Sequence, residues 1–412
     1  MIYFKKKNCR LCKSKNIIKV FDLGKFPIGD DYTKRKNNNQ KIPLQIMACK
    51  SCGFKQLSVV VDENKVYGDY LYTTKTSYGL QKHFKKNFNF IKKFQKKLKK
   101  NDLILDIGSN DGSNLEIFKK NNFYVIGVEP SKKLSKIANK NRINTINDSF
   151  NLKTTKQILN LKIKPKVICI YNTLANIDNL DSFFKNLIKL MTKDTLVVVE
   201  SFALLGIIKK NLFDSIYHEH LSYFHLAPLK KYFKKFNLNI IFAENNNVKG
   251  GSIKFILSKE KIKKINSSVN KCIKLEQKNK LNKMYIFNNI IKKNKLIKIK
   301  LNKILSKYNN KVIAGYGASC GTTIFIYYYD LIKKINFIFD DEPKRNKLFS
   351  PSSNIRVYNP NLKLMKKVDI ILLISWRYSR VIIKKYKLNY LKKINSKKIF
   401  LIPMPRMKKI MI

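Results

Sequence analysis

From Leu103 onward, short apolar runs alternate with longer stretches in which apolar residues return every three or four positions. The runs LILDIG, FYVIGVE, NTIN, KVICIYN, TLVVVE, NIIFAEN and SIKFILS read as strands. Helical stretches separate the first five and only a short polar loop separates the last two, which predicts an α/β sheet ending in an antiparallel hairpin. Ahead of them, SYGLQKHFKKNFNFIKKFQKKL has helical spacing. Residues before about 68 hold short elements with little helical periodicity, too little to bury a core unaided, so a cross-link is expected there. Residues 261–310 are polar and periodic, without turn signals, and read as connecting helices. From Lys311, VIAGYG, a helix, INFIFDD and a later DIILLIS repeat the strand and crossover pattern. The expected organisation is a small module over 1–68, an α/β domain over 69–260, and a helical connector with a second, smaller α/β domain over 261–412. That division suits a chain of 412 residues.

The apolar content, 44%, is ordinary for a globular protein, and no window approaches the roughly 18 uninterrupted apolar residues of a membrane span. The opening MIYFKKKNCRLC has no long apolar stretch of the secretory kind, so a cytoplasmic location is expected. A net charge of +60 points at first to nucleic acid. The lysines, however, run through every segment alongside abundant Asn and Ile, and Arg is sparse. Runs such as KKFQKKLKK fall in helical stretches, where a solvated face explains them, so no nucleic-acid partner is expected.

Seven cysteines in such a chain argue against a disulfide framework. Cys9 with Cys12, and Cys49 with Cys52, form two CxxC pairs. Buried thiols or a redox pair would explain one of them; both together predict a four-thiolate zinc site. With four protein ligands no position stays open for a substrate water, so the metal is expected to hold the module together.

The run LILDIGSNDGSNLEIF is a strand, a turn containing Gly108, Asn110 and Gly112, and a helix, the arrangement that lets backbone pass beneath a ligand at the carboxyl ends of strands. Two of the three dinucleotide glycines are present, and the turn carries Asp106 and Asp111. Acids there repel a pyrophosphate and suit a cationic sulfonium and amino group, favouring S-adenosylmethionine over NAD. Glu129, ending GVE, stands where an acid grips ribose hydroxyls. The stretch NDSF, with Asp148, Ser149 and Phe150, offers polar contacts and a ring for an adenine, and Asn172 follows the fourth strand at the same edge.

Three of the four histidines fall within DSIYHEHLSYFH. An HExxH zinc site is excluded, because Ser222 stands where its second His is required. Tyr217, His218, Glu219 and His220 together provide a base, an orienter for it and a phenolic acid, and they follow the fifth strand by one short segment.

With the cysteine quartet, LDIGSNDG, GVEPS and YHEH in this order, the chain resembles the bacterial C-methyltransferases that act on sugar nucleotides, typified by the sugar C-3′-methyltransferases. The resemblance runs nearly the whole length, through GGSIKF (250–255), GYGAS (315–319), FDDEP (339–343) and ISWRY (374–378). It implies a zinc-binding N-terminal module, a Rossmann-like class I methyltransferase domain and a smaller Rossmann-like C-terminal domain. It also implies S-adenosylmethionine as methyl donor, a keto-sugar nucleotide as substrate, and His220 as the base beside the ketone, assisted by Tyr217 and Glu219. The family's second active-site His, after the fourth strand, is Asn176 here. An O- or N-methyltransferase shares the cofactor site without enolate chemistry, and a non-catalytic nucleotide-binding protein keeps the fold; intact YHEH and Glu129 argue against the latter. Gly315, Gly317 and Gly321, with Asp340 and Asp341, read either as a second ligand edge for the substrate nucleotide or as a packing turn.

Overall fold

The computed structural model describes residues 2–67, 72–259 and 265–412. The boundaries expected at 68/69 and 260/261 lie outside the described residues. Five strands precede the main sheet: β1 (Tyr3–Lys5), β2 (Ile17–Phe26), β3 (Ile42–Cys49), β4 (Lys55–Leu57) and β5 (Val59–Val61). They are followed by β6 (Leu103–Ile107), β7 (Tyr124–Val128), β8 (Thr145–Ile146), β9 (Val167–Tyr171), β10 (Leu196–Phe202), β11 (Ser222–Tyr223), β12 (Asn239–Asn246) and β13 (Ser252–Ser258).

All seven runs expected as strands form one sheet, ordered β12-β13-β10-β9-β6-β7-β8. The pairs among β6 to β10 are parallel, and β13 runs antiparallel to both β10 and β12. Side-chain alternation assigns the two faces. Leu103, Leu105 and Ile107 join one apolar cluster and Ile104 the other. The helix Leu80–Phe94 buries Leu80, Phe84, Phe88 and Ile91, one stripe at helical spacing, against the second face. The chain runs outward through β7 and β8, then returns to β9 on the other side of β6. The edge between β6 and β9 is therefore the switch point at which open α/β sheets bind ligands.

Strands β2, β3, β4 and β11 form a second sheet, and β1 pairs with β5. The helices Ser267–Lys278 and Asn288–Ser306 occupy the expected connector. Beyond them lies a six-stranded sheet, ordered β16-β15-β14-β17-β18-β19, of β14 (Ile313–Tyr316), β15 (Phe337–Phe339), β16 (Arg356–Tyr358), β17 (Ile370–Leu373), β18 (Ile399–Ile402) and β19 (Lys408–Met411).

By compactness the chain divides into two units. The first holds 1–20, 46–209 and 219–286, and the second holds 21–45, 210–218 and 287–412. The division cuts through β2 and β3, and it falls inside YHEH, between His218 and Glu219. Within the second unit the glycines after β14 are accounted for by packing. A Cβ on Gly317 would lie 1.8 Å from Ser375 Oγ, and one on Gly321 would lie 2.8 Å from the Asp214 carbonyl. Asp340 accepts from the amides of Ala318 and Glu342, while Asp341 takes Tyr316 and Lys385. These contacts hold the turn closely against its neighbours. Among the described residues, no helix is long and apolar enough to cross a membrane.

Candidate active site

The strand-to-helix turn after β6 is tight because Gly108 adopts φ 75°, and a Cβ there would fall 2.0 Å from Thr173 Oγ1. The amides of Gly108 and Ser109 both reach the Val128 carbonyl, so the turn is tied to the end of β7. There Glu129 accepts the amide of Asn110 at 2.8 Å on one oxygen and that of Ser131 at 2.9 Å on the other. Burial still pushes its pKa up. Asp106 is buried as well: Asn114 donates to its Oδ2 at 2.9 Å, and Oδ1 has no partner. Burial raises its pKa to about 7.

These groups face a cavity of about 710 Å³. Asp106, Gly108, Asn110, Glu129, Ser149, Phe150 and Asn172 all line it. Phe150 packs edge-on against Phe183, another lining residue, with ring centroids 5.1 Å apart, which gives that end an aromatic wall. The remaining expected cofactor residues, Asp111, Gly112 and Asp148, lie beside the cavity wall. Asp111 accepts the amides of Lys75 and Ser113, Gly112 caps the helix Ser113–Lys119, and Asp148 accepts the Ser149 amide. Other lining residues come from segments with no motif to mark them: Val60 to Asn64 at the end of β5, then Tyr67, Tyr72 and Lys249.

The base candidates separate by burial. His218 is fully buried, with Nε2 3.2 Å from the Ile42 carbonyl, and burial pushes its pKa down to about 4. His225 is likewise buried, its pKa near 3. Both are neutral packing residues at physiological pH. His220 is only partly buried and stacks on Phe202, at the carboxyl end of β10, with centroids 5.5 Å apart. Glu219 is buried, and its charge, added to desolvation, raises the pKa of the cavity residue Tyr67. Asn176 hydrogen-bonds Tyr67, lines the same cavity, and leaves its own buried Oδ1 unpartnered. Tyr217 belongs to the second unit, within the field of Arg377, whose guanidinium holds Asp214 at 2.8 Å.

The cysteine sulfurs lie within 4.8 Å of one another, with Cys9 to Cys52 at 3.6 Å and Cys12 to Cys49 at 3.5 Å. Four thiols this close suit one tetrahedral zinc ion. Arg10, inside the first knuckle, is fully buried and reaches outward. Its Nε donates to Asp178 at 3.0 Å and its Nη1 to the Leu57 carbonyl at 2.9 Å. Asp178, which also takes Lys6 at 2.9 Å, is part of the cavity wall. The cysteine knuckle is thus tied to the cavity wall through the Arg10–Asp178 ion pair.

A zinc binding domain family matches residues 9–67, a methyltransferase domain family residues 80–242, and a C-methyltransferase C-terminal domain family residues 247–405. The C-methyltransferase NovU of Streptomyces niveus is 24% identical over 382 residues, 91% of each chain. Among solved structures, the magnesium protoporphyrin IX methyltransferase of Synechocystis PCC 6803 with bound S-adenosylhomocysteine has 13% identity and a TM-score of 0.36, over 48% of this chain and 93% of that one. An S-adenosylmethionine-dependent methyltransferase of Clostridium acetobutylicum has 16% identity and a TM-score of 0.34, over 43% and 91%.

The chain is an S-adenosylmethionine-dependent methyltransferase with a structural zinc site. Along its length it matches in succession a zinc binding domain, a methyltransferase domain and a C-methyltransferase C-terminal domain.

Proposed function

We propose that this C-methyltransferase acts on the carbon beside the ketone of a sugar nucleotide, and that His220 removes the proton from that carbon. The observation that carries the base assignment is the contrast among the three clustered histidines. Two are buried and held neutral by desolvation, whereas His220 keeps partial exposure at the carboxyl end of β10. A base that meets a substrate must be an imidazole the substrate can reach.

Bound S-adenosylmethionine supplies an electrophilic methyl group. In the cavity, Glu129 receives the ribose hydroxyls, Ser149 and the Phe150 ring frame the adenine, and Gly108, Asn110 and Asn172 shape the floor. Asp106, with its unpartnered oxygen, takes the amino group. A carbon attacks a methyl only once it carries enolate character, so His220 takes the α-proton first, with Glu219 and Tyr217 assisting from the same motif. Asn176 hydrogen-bonds but cannot carry a proton, so proton traffic falls on the YHEH motif. The carbon acceptor is supported by the C-methyltransferase name of the relative and of the C-terminal domain family. The keto-sugar nucleotide rests on the motif resemblance.

The test is exchange without transfer. With S-adenosylhomocysteine in place of the donor, the protein should exchange the substrate α-proton for deuterium. His220→Asn should lose exchange and methylation together, by roughly 100- to 10,000-fold, while still binding S-adenosylmethionine. Near-normal turnover in that variant, or an O- or N-methyl product, would overturn the proposal.

A further inference from the structure

The cavity reverses the charge balance of the chain. Lys and Arg outnumber Asp and Glu by 86 to 26 overall, yet the cavity is lined by five acids, Asp62, Glu63, Asp106, Glu129 and Asp178, and among the described lining residues by one base, Lys249. Carboxylates suit the sulfonium and ammonium of S-adenosylmethionine. The same molecule carries one carboxylate, for which the acidic wall offers no partner except this lysine.

A chain of contacts ties that lysine to the turn beside Glu129. Glu129, at the ribose end, accepts the amide of Asn110; the side chain of Asn110 donates to the Tyr72 carbonyl at 3.2 Å; and the ammonium of Lys249 lies 4.6 Å from the centre of the Tyr72 ring. Through Tyr72 and Asn110, Lys249 is thus tied to the turn beside Glu129, and it lines the cavity into which the methionyl part of a nucleoside held at Glu129 extends. The loop presenting Lys249 is anchored rather than free. Val248 donates to Asn246 Oδ1 at 3.0 Å, Ser252 donates back to the Val248 carbonyl at 3.1 Å, and Gly251 passes so close to Gly206 that a Cβ on it would sit 2.8 Å from the Gly206 Cα. Lys249 itself adopts φ 49°, ψ 27°, a left-handed conformation that disfavours a residue with a side chain. Cation–π contact with Tyr72 orients the ammonium while leaving its three donors available.

We infer that Lys249 is the anchor for the α-carboxylate of the cofactor's methionyl group. This rests on the cavity being the cofactor site, and the test separates the two. Calorimetric binding of S-adenosylhomocysteine and of 5′-methylthioadenosine, which keeps the nucleoside but lacks the amino-acid tail, is compared in the wild type, Lys249→Met and Lys249→Arg. Lys249→Met should weaken S-adenosylhomocysteine by roughly tenfold, the scale of one hydrogen-bonded charge contact, and leave 5′-methylthioadenosine unchanged. Lys249→Arg, which keeps the cation, should recover most of the loss and guards against a folding defect in the first variant. Equal weakening of both ligands, or none for S-adenosylhomocysteine with a raised KM for the sugar nucleotide instead, would overturn the assignment. Failure of the wild type to bind S-adenosylhomocysteine would remove the cofactor cavity itself.

Discussion

Asp106 shows what a single buried carboxylate does to pH dependence. Its pKa is pushed from an ordinary 3.8 to about 7 by desolvation, so much of it is protonated near neutrality in the unliganded protein. A folded-state pKa above the unfolded one means that this group's stabilising contribution is complete below about pH 4 and is lost as pH rises through 7. A cationic amino group reverses that trend, because it favours the ionised acid. Calorimetry should therefore find S-adenosylmethionine binding several-fold tighter at pH 8 than at pH 6, and the dependence should flatten in Asp106→Asn. An equal slope in that variant would assign the titration elsewhere. Glu129→Ala should cost on the order of 2–3 kcal/mol of affinity through two lost hydrogen bonds to a charged acceptor. It also frees the amides of Asn110 and Ser131, so some loosening of the turn should accompany it.

At the scale of elements, the apolar runs were legible because a strand buried on both faces must be apolar along its length, and all seven formed the sheet expected of them. Spacing also marked the cysteine quartet, since two CxxC pairs can close on one ion. Side-chain direction was harder to read. Asp106 and Asp111 sit five residues apart in one motif, yet only the first faces the cavity, because Asp111 is turned away to bind the Lys75 and Ser113 amides. Tyr67 and Lys249 carried no local signal, as their place depends on segments far apart in the chain meeting at one edge. Arg10 is of this kind too, and it predicts more than instability on metal loss. Cys49→Ser should lower zinc below one per chain and lower the melting temperature. By releasing Arg10 from Asp178 it should also weaken S-adenosylmethionine binding in whatever protein stays folded. Unchanged cofactor affinity in zinc-depleted, folded protein would show that the knuckle and the cavity are uncoupled.

At the scale of the whole molecule, periodicity speaks of neighbours along the chain and is silent about stretches that join a distant partner. The second unit is assembled from three such stretches, and buried polar contacts bind them. Arg345 donates to Asp30 at 2.6 Å and to the Ala318 carbonyl, Thr323 donates to the Gly29 carbonyl at 2.8 Å, and Asp214 takes both Trp376 Nε1 at 3.0 Å and Arg377. Removing one member of a buried ion pair typically costs about 3–5 kcal/mol, because the other charge stays desolvated without compensation. Ending the chain after Ile286 removes every one of these partners at once and leaves 21–45 and 210–218 without the side chains that hold them. Phe21, stacked on Phe287 at 5.3 Å, would lose its apolar cover as well. Such a chain should therefore aggregate or unfold without a cooperative transition, even though its cofactor sheet is intact in sequence. Size-exclusion chromatography and thermal melting decide the matter. A monomeric, cooperatively melting product that still binds S-adenosylhomocysteine would show that the discontinuous unit is dispensable to the methyltransferase fold. The milder Arg345→Met in the full chain should lower stability by an amount within the range for a broken buried pair, and adding Asp30→Asn should recover part of it, since the stranded charge is then gone.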